Sequence, residues 1–188
     1  MKKFFILLPV LLCVLGISFV DAAKIQEDLS KNLLRLHIVA NSDEEFDQNT
    51  KLLVRDNILK NINEGSTLKD LTTIANSTLS QIKAGYTASA KITKCYVPKK
   101  DYKNISLPEG VYSCLNVTLG KGEGKNWWCI AYPPLCFTES VIGEISPDGQ
   151  SILLENLDKK TFDAIVNSGN VNFRFKILEL FQKIRCNI

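Results

Sequence analysis

Histidine and an excess of charge of one sign are what this sequence has least of. His37 is the single histidine among 188 residues, so an imidazole-based catalytic site or a multi-histidine metal site has one residue to draw on. The 23 Lys and Arg residues nearly balance the 20 Asp and Glu residues, and a net charge of +3 does not indicate a nucleic-acid-binding surface. With 45% hydrophobic and 23% charged residues, the composition excludes disorder, and the length fits one globular domain.

Motifs for nucleotide, metal and redox chemistry are also missing. No two cysteines have the C-x-x-C spacing, so neither a zinc ribbon nor a thioredoxin-like centre is supported. The glycine-rich run 120–125 fails the phosphate-loop pattern, which requires glycine in place of Leu119 and a hydroxyl in place of Asn126. We interpret this run as a flexible loop between strands, whose glycines tolerate positive φ. We therefore assign no catalytic residue, cofactor or metal ligand.

The first 22 residues have the order of a secretory signal peptide. A basic start, Met1–Lys3, is followed by the uncharged stretch Phe4–Val20 and then by a fair cleavage site ending at Ala22. We predict cleavage after Ala22, which leaves one globular domain over residues 23–188. The alternative is an uncleaved membrane anchor, for which the apolar stretch is at the lower limit of length.

Export changes how the cysteines are interpreted, because paired thiols persist as disulfides outside the cytosol. Five cysteines remain after the predicted cleavage: Cys95, Cys114, Cys129, Cys136 and Cys186. Cys129 and Cys136 flank a turn with two consecutive prolines, and we predict that they pair. A Cys95–Cys114 bond across neighbouring strands is a second candidate, which would leave Cys186 free. Spacing alone does not determine this connectivity.

Two hydrophobic periodicities alternate along the chain. Apolar residues at every second position predict strands over 34–40, 86–97, 111–119 and 127–132. Helical spacing predicts helices over about 43–64, 66–85 and 158–167, and a last strand should pass into a helix near Phe175. This mixture lacks a regular βαβ alternation. It predicts an α+β fold, with a mixed, mainly antiparallel sheet of about four or five strands packed with three or four helices in a single domain.

Several polar residues and glycines predict where these elements begin and end. Ser42 and Glu45 match an S-x-x-E capping box for the first helix, and Gly65 matches a left-handed stop after it. Ser66 is placed to cap the second helix. A turn is expected over 146–149.

Trp127 and Trp128 lie side by side in the strand predicted over 127–132. Successive strand residues point to opposite faces, so if one indole is in the core the other is exposed or covered by a loop. An exposed tryptophan would act as an interface anchor, and the structural alternative is a second, smaller core. The sequence does not choose between them.

Two blocks of the chain resemble the stage II sporulation protein R family of endospore-forming bacteria. The first is L-R-L-H-I-V-A-N-S-D at 34–43, which continues to V-R-D at 54–56. The second is G-E-G-K-N-W-W-C at 122–129, followed by P-P-L-C-F at 133–137. A closing segment around 174–179 extends the resemblance from about residue 33 to residue 181.

The resemblance implies an exported signalling protein and not an enzyme. Such a protein is made in the forespore and secreted across the forespore membrane into the space between forespore and mother cell. There it activates a membrane-embedded receptor protease of the aspartic type in the sporulation septum, so that the mother-cell sigma factor precursor is processed. Neither nucleic acid nor a small-molecule substrate is implied, and peripheral contact with the membrane is allowed.

The residues that would contact the receptor are expected among the polar and aromatic positions of the two blocks. These candidates are Arg35, His37, Asn41, Ser42, Asp43, Arg55, Asp56, Trp127 and Trp128. Helix capping is a competing explanation for Ser42, so Trp128 and His37 are the better probes of contact. The alternative function is an exported cell-wall-modifying hydrolase using carboxylates, although no spacing selects a pair. A structural spore-envelope component is a third hypothesis.

Overall fold

Helices and strands are both present in the computed structural model, which describes residues 2–63, 65–133, 135 and 145–166. The helices are α1 (Lys2–Asn32), α2 (Glu45–Asn61), α3 (Leu68–Gln81), α4 (Pro147–Asn156) and α5 (Lys159–Val166). The strands are β1 (Leu34–Val39), β2 (Ala88–Val97), β3 (Lys100–Asp101), β4 (Ser106–Leu107), β5 (Gly110–Leu119) and β6 (Asn126–Tyr132).

Four of the strands form one mixed sheet in the order β2–β5–β1–β6. β1 runs parallel to β5 and antiparallel to β6, and β2 is antiparallel to β5. β3 and β4 form a separate two-stranded ribbon. The predicted α+β fold with a mixed, mainly antiparallel sheet is confirmed, although the described residues hold five helices rather than three or four. The parallel β1–β5 pair requires a long crossover, which α2, α3 and β2 supply.

The alternation along β1 separates the interior into two cores. Leu36 and Ile38 point to the face covered by α2 and α3, where they pack in one cluster with Ile58. The opposite face of the sheet, with Tyr112, packs in a second cluster against α1, including Leu29, and against parts of α4 and α5. Because neighbouring strand residues point to opposite faces, the sheet is the middle layer of three.

The start of α2 differs from the prediction. Glu44 precedes the first helical residue, and its side chain makes no capping hydrogen bond. The Ser42 hydroxyl instead donates to the Asp47 carboxylate at 2.7 Å and accepts from the Glu44 backbone N–H at 3.2 Å. The predicted Ser42–Glu45 capping box is therefore wrong, because the charge-assisted bond to Asp47 holds Ser42 outside the helix.

The junction between α2 and α3 also differs. α2 ends at Asn61 and Ile62 is already in extended backbone, so the helix stops before Gly65, the expected stop, is reached. Thr67, not Ser66, caps α3, in a capping box with Asp70. The Ser66 hydroxyl accepts from the Asn63 backbone N–H at 2.9 Å, so it closes the preceding turn and the cap falls one residue later. α3 also ends before the predicted stop at residue 85.

α4 begins where a turn is expected. The Ser146 hydroxyl accepts from the Gly149 backbone N–H at 3.1 Å, and Pro147 is the first helical residue, so the segment 146–149 starts a helix. Local signals do not separate the two cases, because a type I turn and the first turn of a helix share similar dihedral angles. α5 confirms the helix expected over 158–167. The strand and helix expected around Phe175 lie outside the described residues.

One disulfide links the two strands at one edge of the sheet. Cys95 on β2 and Cys114 on β5 are bonded, with Cα atoms 6.2 Å apart, as the sequence analysis suggested. Cys129 is also disulfide-bonded. Cys136 and Cys186 lie outside the described residues, so the Cys129–Cys136 pair stays a prediction.

α1 passes through the predicted cleavage point after Ala22 without a break. Ala22, Ile25 and Leu29 are buried in the core cluster on that face of the sheet. None of the helices within the described residues combines the length and the hydropathy that a membrane span requires. Cleavage after Ala22 stays a prediction.

Candidate functional site

The nine candidate residues fall into three groups around β1. Asn41, Ser42 and Asp43 follow the end of β1; Arg55, Asp56 and Trp127 lie on or under α2; and Arg35, His37 and Trp128 lie on the opposite face of the sheet. The three groups have different environments, and they therefore differ in how free they are to contact a partner.

The segment after β1 holds the glycine-rich loop, residues 120–125, against the domain. The Asn41 side-chain oxygen accepts from the Lys121 backbone N–H at 2.9 Å, and the Asn41 backbone oxygen accepts from the Glu123 N–H at 3.1 Å. The Asp43 carboxylate accepts from the Lys125 backbone N–H at 2.8 Å. The two blocks that carry the family resemblance are thus bonded to each other, through both oxygens of Asn41 and one carboxylate oxygen of Asp43.

Two glycines in this loop are required by close approach. Gly120 has φ +53°, and a Cβ atom there would overlap the Asn41 side chain. A Cβ atom on Gly124 would overlap the backbone carbonyl of Ser42. The expected positive φ is present at Gly120 and Gly122. The loop is nevertheless hydrogen-bonded in place, which the interpretation as a flexible loop did not anticipate.

Asp47, which is buried, is the acceptor that organises this region. Its carboxylate accepts from the Asn41 amide and the Ser42 hydroxyl at 2.7 Å each, and from the Tyr86 hydroxyl at 2.6 Å. Burial acts to raise the pKa of Asp47, but these three hydrogen bonds outweigh it, and the pKa lies below its ordinary value of 3.8. Burial, the hydrogen bond to Asp47 and its charge raise the pKa of Tyr86 to about 12. Asn41 and Ser42 therefore have a structural role.

Lys51 is a buried cation that the sequence analysis did not single out. Its ammonium donates to the Gln48 side-chain oxygen at 2.7 Å and to the Lys125 backbone oxygen at 3.0 Å. Burial lowers the pKa of Lys51, and the nearby Asp43 carboxylate opposes this effect. Asp43, Asp47 and Lys51 recur at intervals of four residues, and that spacing was the available signal that one side of α2 carries polar groups facing the loop.

Arg55 and Trp127 form a contact on the α2 side of the sheet. The Arg55 guanidinium lies 4.4 Å from the centroid of the Trp127 ring, within the range of a cation–π interaction. Its Nη2 atom is 2.7 Å from a carboxylate oxygen of Asp56, whose side chain is half exposed. Trp127 packs against the core cluster of this face. Arg55 and Trp127 thus stabilise the packing of α2 on the sheet.

His37 and Trp128 form a stacked pair on the other face. Their ring centroids are 3.8 Å apart, the rings are 7° from parallel, and both side chains are partly exposed. Burial lowers the pKa of His37 below its ordinary value of 6.5, against a smaller opposing effect of Asn126. Neither His37 ring nitrogen has a hydroxyl or thiol partner among the described residues, so the geometry there offers no Ser–His or Cys–His pair.

Arg35 is fully buried beside this pair. Its Nε atom donates to the Cys129 backbone oxygen at 3.2 Å, and its guanidinium carbon lies 5.2 Å from the centroid of the Tyr112 ring. Arg35 borders a cavity of about 250 Å³ that Trp128 and Asn126 also line. Among the described residues, no cluster of His, Cys, Asp and Glu is arranged to hold a metal ion.

Comparison with known proteins is consistent with the two blocks. The family model for stage II sporulation protein R matches residues 30–142, a range that contains all nine candidate residues. Stage II sporulation protein R of Bacillus subtilis (strain 168) is 36% identical over 126 residues, which cover 59% of this chain and 56% of that protein. The chain thus matches little more than half the length of this relative, and no solved structure matches it. Because the family model covers more than half of the sequence, the chain belongs to the stage II sporulation protein R family.

Proposed function

We propose that this protein is an exported signal, made in the forespore, that activates a membrane-embedded receptor protease of the aspartic type in the sporulation septum. Activation leads to processing of the mother-cell sigma factor precursor. The observation that carries the proposal is the family match over residues 30–142, which spans both blocks of the resemblance. The basic start and the short apolar stretch within residues 1–22 support export into the space between forespore and mother cell.

Activation of this kind needs binding and no chemistry by the signal. A ligand that binds the active state of a receptor more tightly than the inactive state shifts the population towards the active state. A shift from about 1:99 to 99:1 requires roughly 10⁴-fold tighter binding to the active state. A domain with a preformed recognition surface is sufficient for that, and the mechanism assigns this protein no catalytic residue.

The face of the sheet with His37 and Trp128 is the best candidate for the contact. The side chain of Asn41 is hydrogen-bonded to the glycine-rich loop and that of Ser42 to Asp47. Trp127 packs under Arg55. Trp128 is partly exposed, and partly buried aromatic side chains in apolar surroundings are the usual anchors of protein interfaces. Both tryptophans are partly exposed, and each packs against the core cluster of its own face. Arg55 also lies over the Trp127 ring, so we choose Trp128 as the interface candidate.

Co-production in a non-sporulating bacterial host tests the proposal. The full chain, its receptor protease and the sigma factor precursor are produced together, and precursor cleavage is followed by immunoblotting. We expect cleavage only when all three are present. Unchanged cleavage without the full chain would contradict the proposal.

A parallel arm tests the competing enzymatic hypothesis. The purified full chain is incubated with peptidoglycan, and soluble fragments are measured. Turnover that a single carboxylate substitution abolishes would favour the hydrolase over the signal.

A further inference from the structure

We propose that the cavity beside Arg35 binds a carboxylate, supplied by an acidic side chain or the C-terminus of a polypeptide partner. This binding does not depend on which polypeptide the partner is. The observations that carry it are the burial of Arg35, the unpartnered ends of its guanidinium and the residues around the cavity.

Arg35 is a buried charge with most of its donors unused. The guanidinium remains protonated in proteins and offers five N–H donors. Nε is satisfied by the Cys129 carbonyl, whereas Nη1 and Nη2 are buried and have no hydrogen-bond partner among the described residues. The Tyr112 ring at 5.2 Å offsets part of the charge, but it accepts none of these hydrogen bonds. A buried cation in this state is unfavourable unless an anion meets it.

Arg35 is among the residues that line a cavity, which is the nearest space for such an anion. It measures about 250 Å³, and Arg35 shares its lining with Lys99, Lys100, Asn126 and Trp128. No acidic side chain lines it within the described part of the chain. Two terminal guanidinium nitrogens side by side match the two oxygens of one oxyanion, which is the arrangement of the strongest charge-assisted hydrogen bonds.

A carboxylate fits this cavity better than a phosphate. The Lys99 ammonium is 3.0 Å from the Asp101 carboxylate and Lys100 lies over the Tyr102 ring, whereas Arg35 is the buried cation with unpartnered donors. Removing a dianion from water costs more than removing a monoanion, and the Trp128 side of the cavity is apolar. One guanidinium in such surroundings is matched by a single negative charge.

Access requires a small rearrangement. Arg35 lines the cavity but has no accessible surface, and both of its terminal nitrogens are buried, so the guanidinium is not open to the cavity as it stands. The Lys99 side chain, which also lines the cavity, is exposed, and long lysine side chains change rotamer readily. A ligand group therefore reaches Arg35 after the lysine side chains of the lining move aside. We expect the response to a small carboxylate probe to be saturable and specific for charge.

The test is an NMR titration of the full chain with small probes. The probes are N-acetylglutamate amide with a free side-chain carboxylate, the uncharged N-acetylglutamine amide, and inorganic phosphate. We expect the glutamate probe to shift the side-chain signals of Trp128 and Asn126 in a saturable manner, and the glutamine probe to leave them unchanged. Equal responses to both probes, no saturable response, or a response to phosphate alone would overturn the inference.

Substitutions at Arg35 identify the binding group. Arg35→Met removes the charge at similar size and should weaken the glutamate probe roughly tenfold or more, whereas Arg35→Lys keeps the charge and should lose several-fold. Unchanged affinity in a folded Arg35→Met variant would refute the inference. If neither variant folds, Lys100→Gln at the cavity is compared with Lys91→Gln, an exposed lysine outside the cavity lining. Only the first should weaken binding, and equal effects would count against the site.

Discussion

His37 and Trp128 stack across β1 and β6 with their ring centroids 3.8 Å apart. They are directly opposed in the register of the two strands, and directly opposed side chains are the pairs that interact across antiparallel strands. Trp128 also packs against the core cluster on the α1 side and lines the cavity that Arg35 borders. The stacked pair therefore contacts the buried core on one side and is partly exposed on the candidate contact face.

Replacing Trp128 should impair signalling more than folding. For Trp128→Ala we expect a loss of receptor activation of roughly tenfold or more, since truncation of an interface anchor costs about 2 kcal/mol or more. The matched control is Trp127→Ala, which removes the neighbouring indole and should lose more stability because Arg55 packs on it. Precursor cleavage at equal levels of folded protein is the measurement. Normal cleavage in the Trp128 variant would remove this residue from the contact surface.

His37 should make the fold less stable as the solution becomes mildly acidic. Its pKa is lowered in the folded state, so protonation favours the unfolded chain. The stability that the neutral His37 ring contributes is fully present above the ordinary pKa of 6.5. It is lost as the pH falls from 6.5 towards the lower pKa of the folded state. Urea unfolding at several pH values, with His37→Gln for comparison, measures it. A variant with the same loss of stability across this window would show that His37 is not its source.

Gly120→Ala should be strongly destabilising. An alanine at this position would adopt a strained left-handed backbone, and its Cβ atom would overlap the Asn41 side chain. We expect the free energy of unfolding to fall by about 2–4 kcal/mol. Gly85→Ala is the control, because Gly85 has φ +78° but open space around it, so only the backbone term of about 1–2 kcal/mol applies. Denaturant unfolding compares the two variants. Equal losses would mean that the approach of Asn41 adds no constraint.

Asp47→Asn should weaken the anchoring of the glycine-rich loop at neutral pH. The variant keeps the size of the side chain but loses the charge-assisted acceptor, for an expected cost of about 1–3 kcal/mol. The pKa of Asp47 is lowered, so its contribution is present above the unfolded value near 3.8 and is lost as pH falls through the lower folded pKa. The difference between variant and wild type should therefore shrink in strong acid.

Tyr86→Phe is the smaller step in the same test, because it removes one of the three donors to Asp47. We expect it to cost less than Asp47→Asn when unfolding is followed in urea. A pH-independent difference for the Asn variant would argue against an ionised Asp47 in the fold.

The disulfide between Cys95 and Cys114 should stabilise the domain measurably. The two residues are separated by 19 positions, and closure of a loop of this size is worth about 3 kcal/mol. Cys95→Ala combined with Cys114→Ala should lower the stability by that order in thermal unfolding. Peptide mapping of the unreduced wild-type protein also tests the other predicted pair, and a free thiol on Cys129 would contradict it.

The sequence by itself determined the fold class and most of the regular elements. Period-two alternation in β1, β2, β5 and β6 and the helical spacing of α2, α3 and α5 were sufficient, because each depends on burying one face of a short segment. Thr67 and Ser146 show the limit of local signals. The first helix is capped by Thr67, one residue after the predicted Ser66, and Ser146 caps a helix where a turn was predicted. Several consecutive polar residues fit the same capping or turn pattern, so the sequence does not choose among them.

Only the tertiary structure decided what the family-matching residues do. Asn41, Ser42 and Asp43 contact groups that lie far along the chain or a turn ahead, and no periodicity encodes a bond between residue 43 and residue 125. Strand alternation places Trp127 and Trp128 on opposite faces of the sheet. Only the folded chain shows that each packs against the core cluster of its own face, with Arg55 over Trp127 and His37 stacked on Trp128. The unused donors of Arg35 likewise follow from packing, because burial of a charge and the absence of its partner are properties of the folded chain.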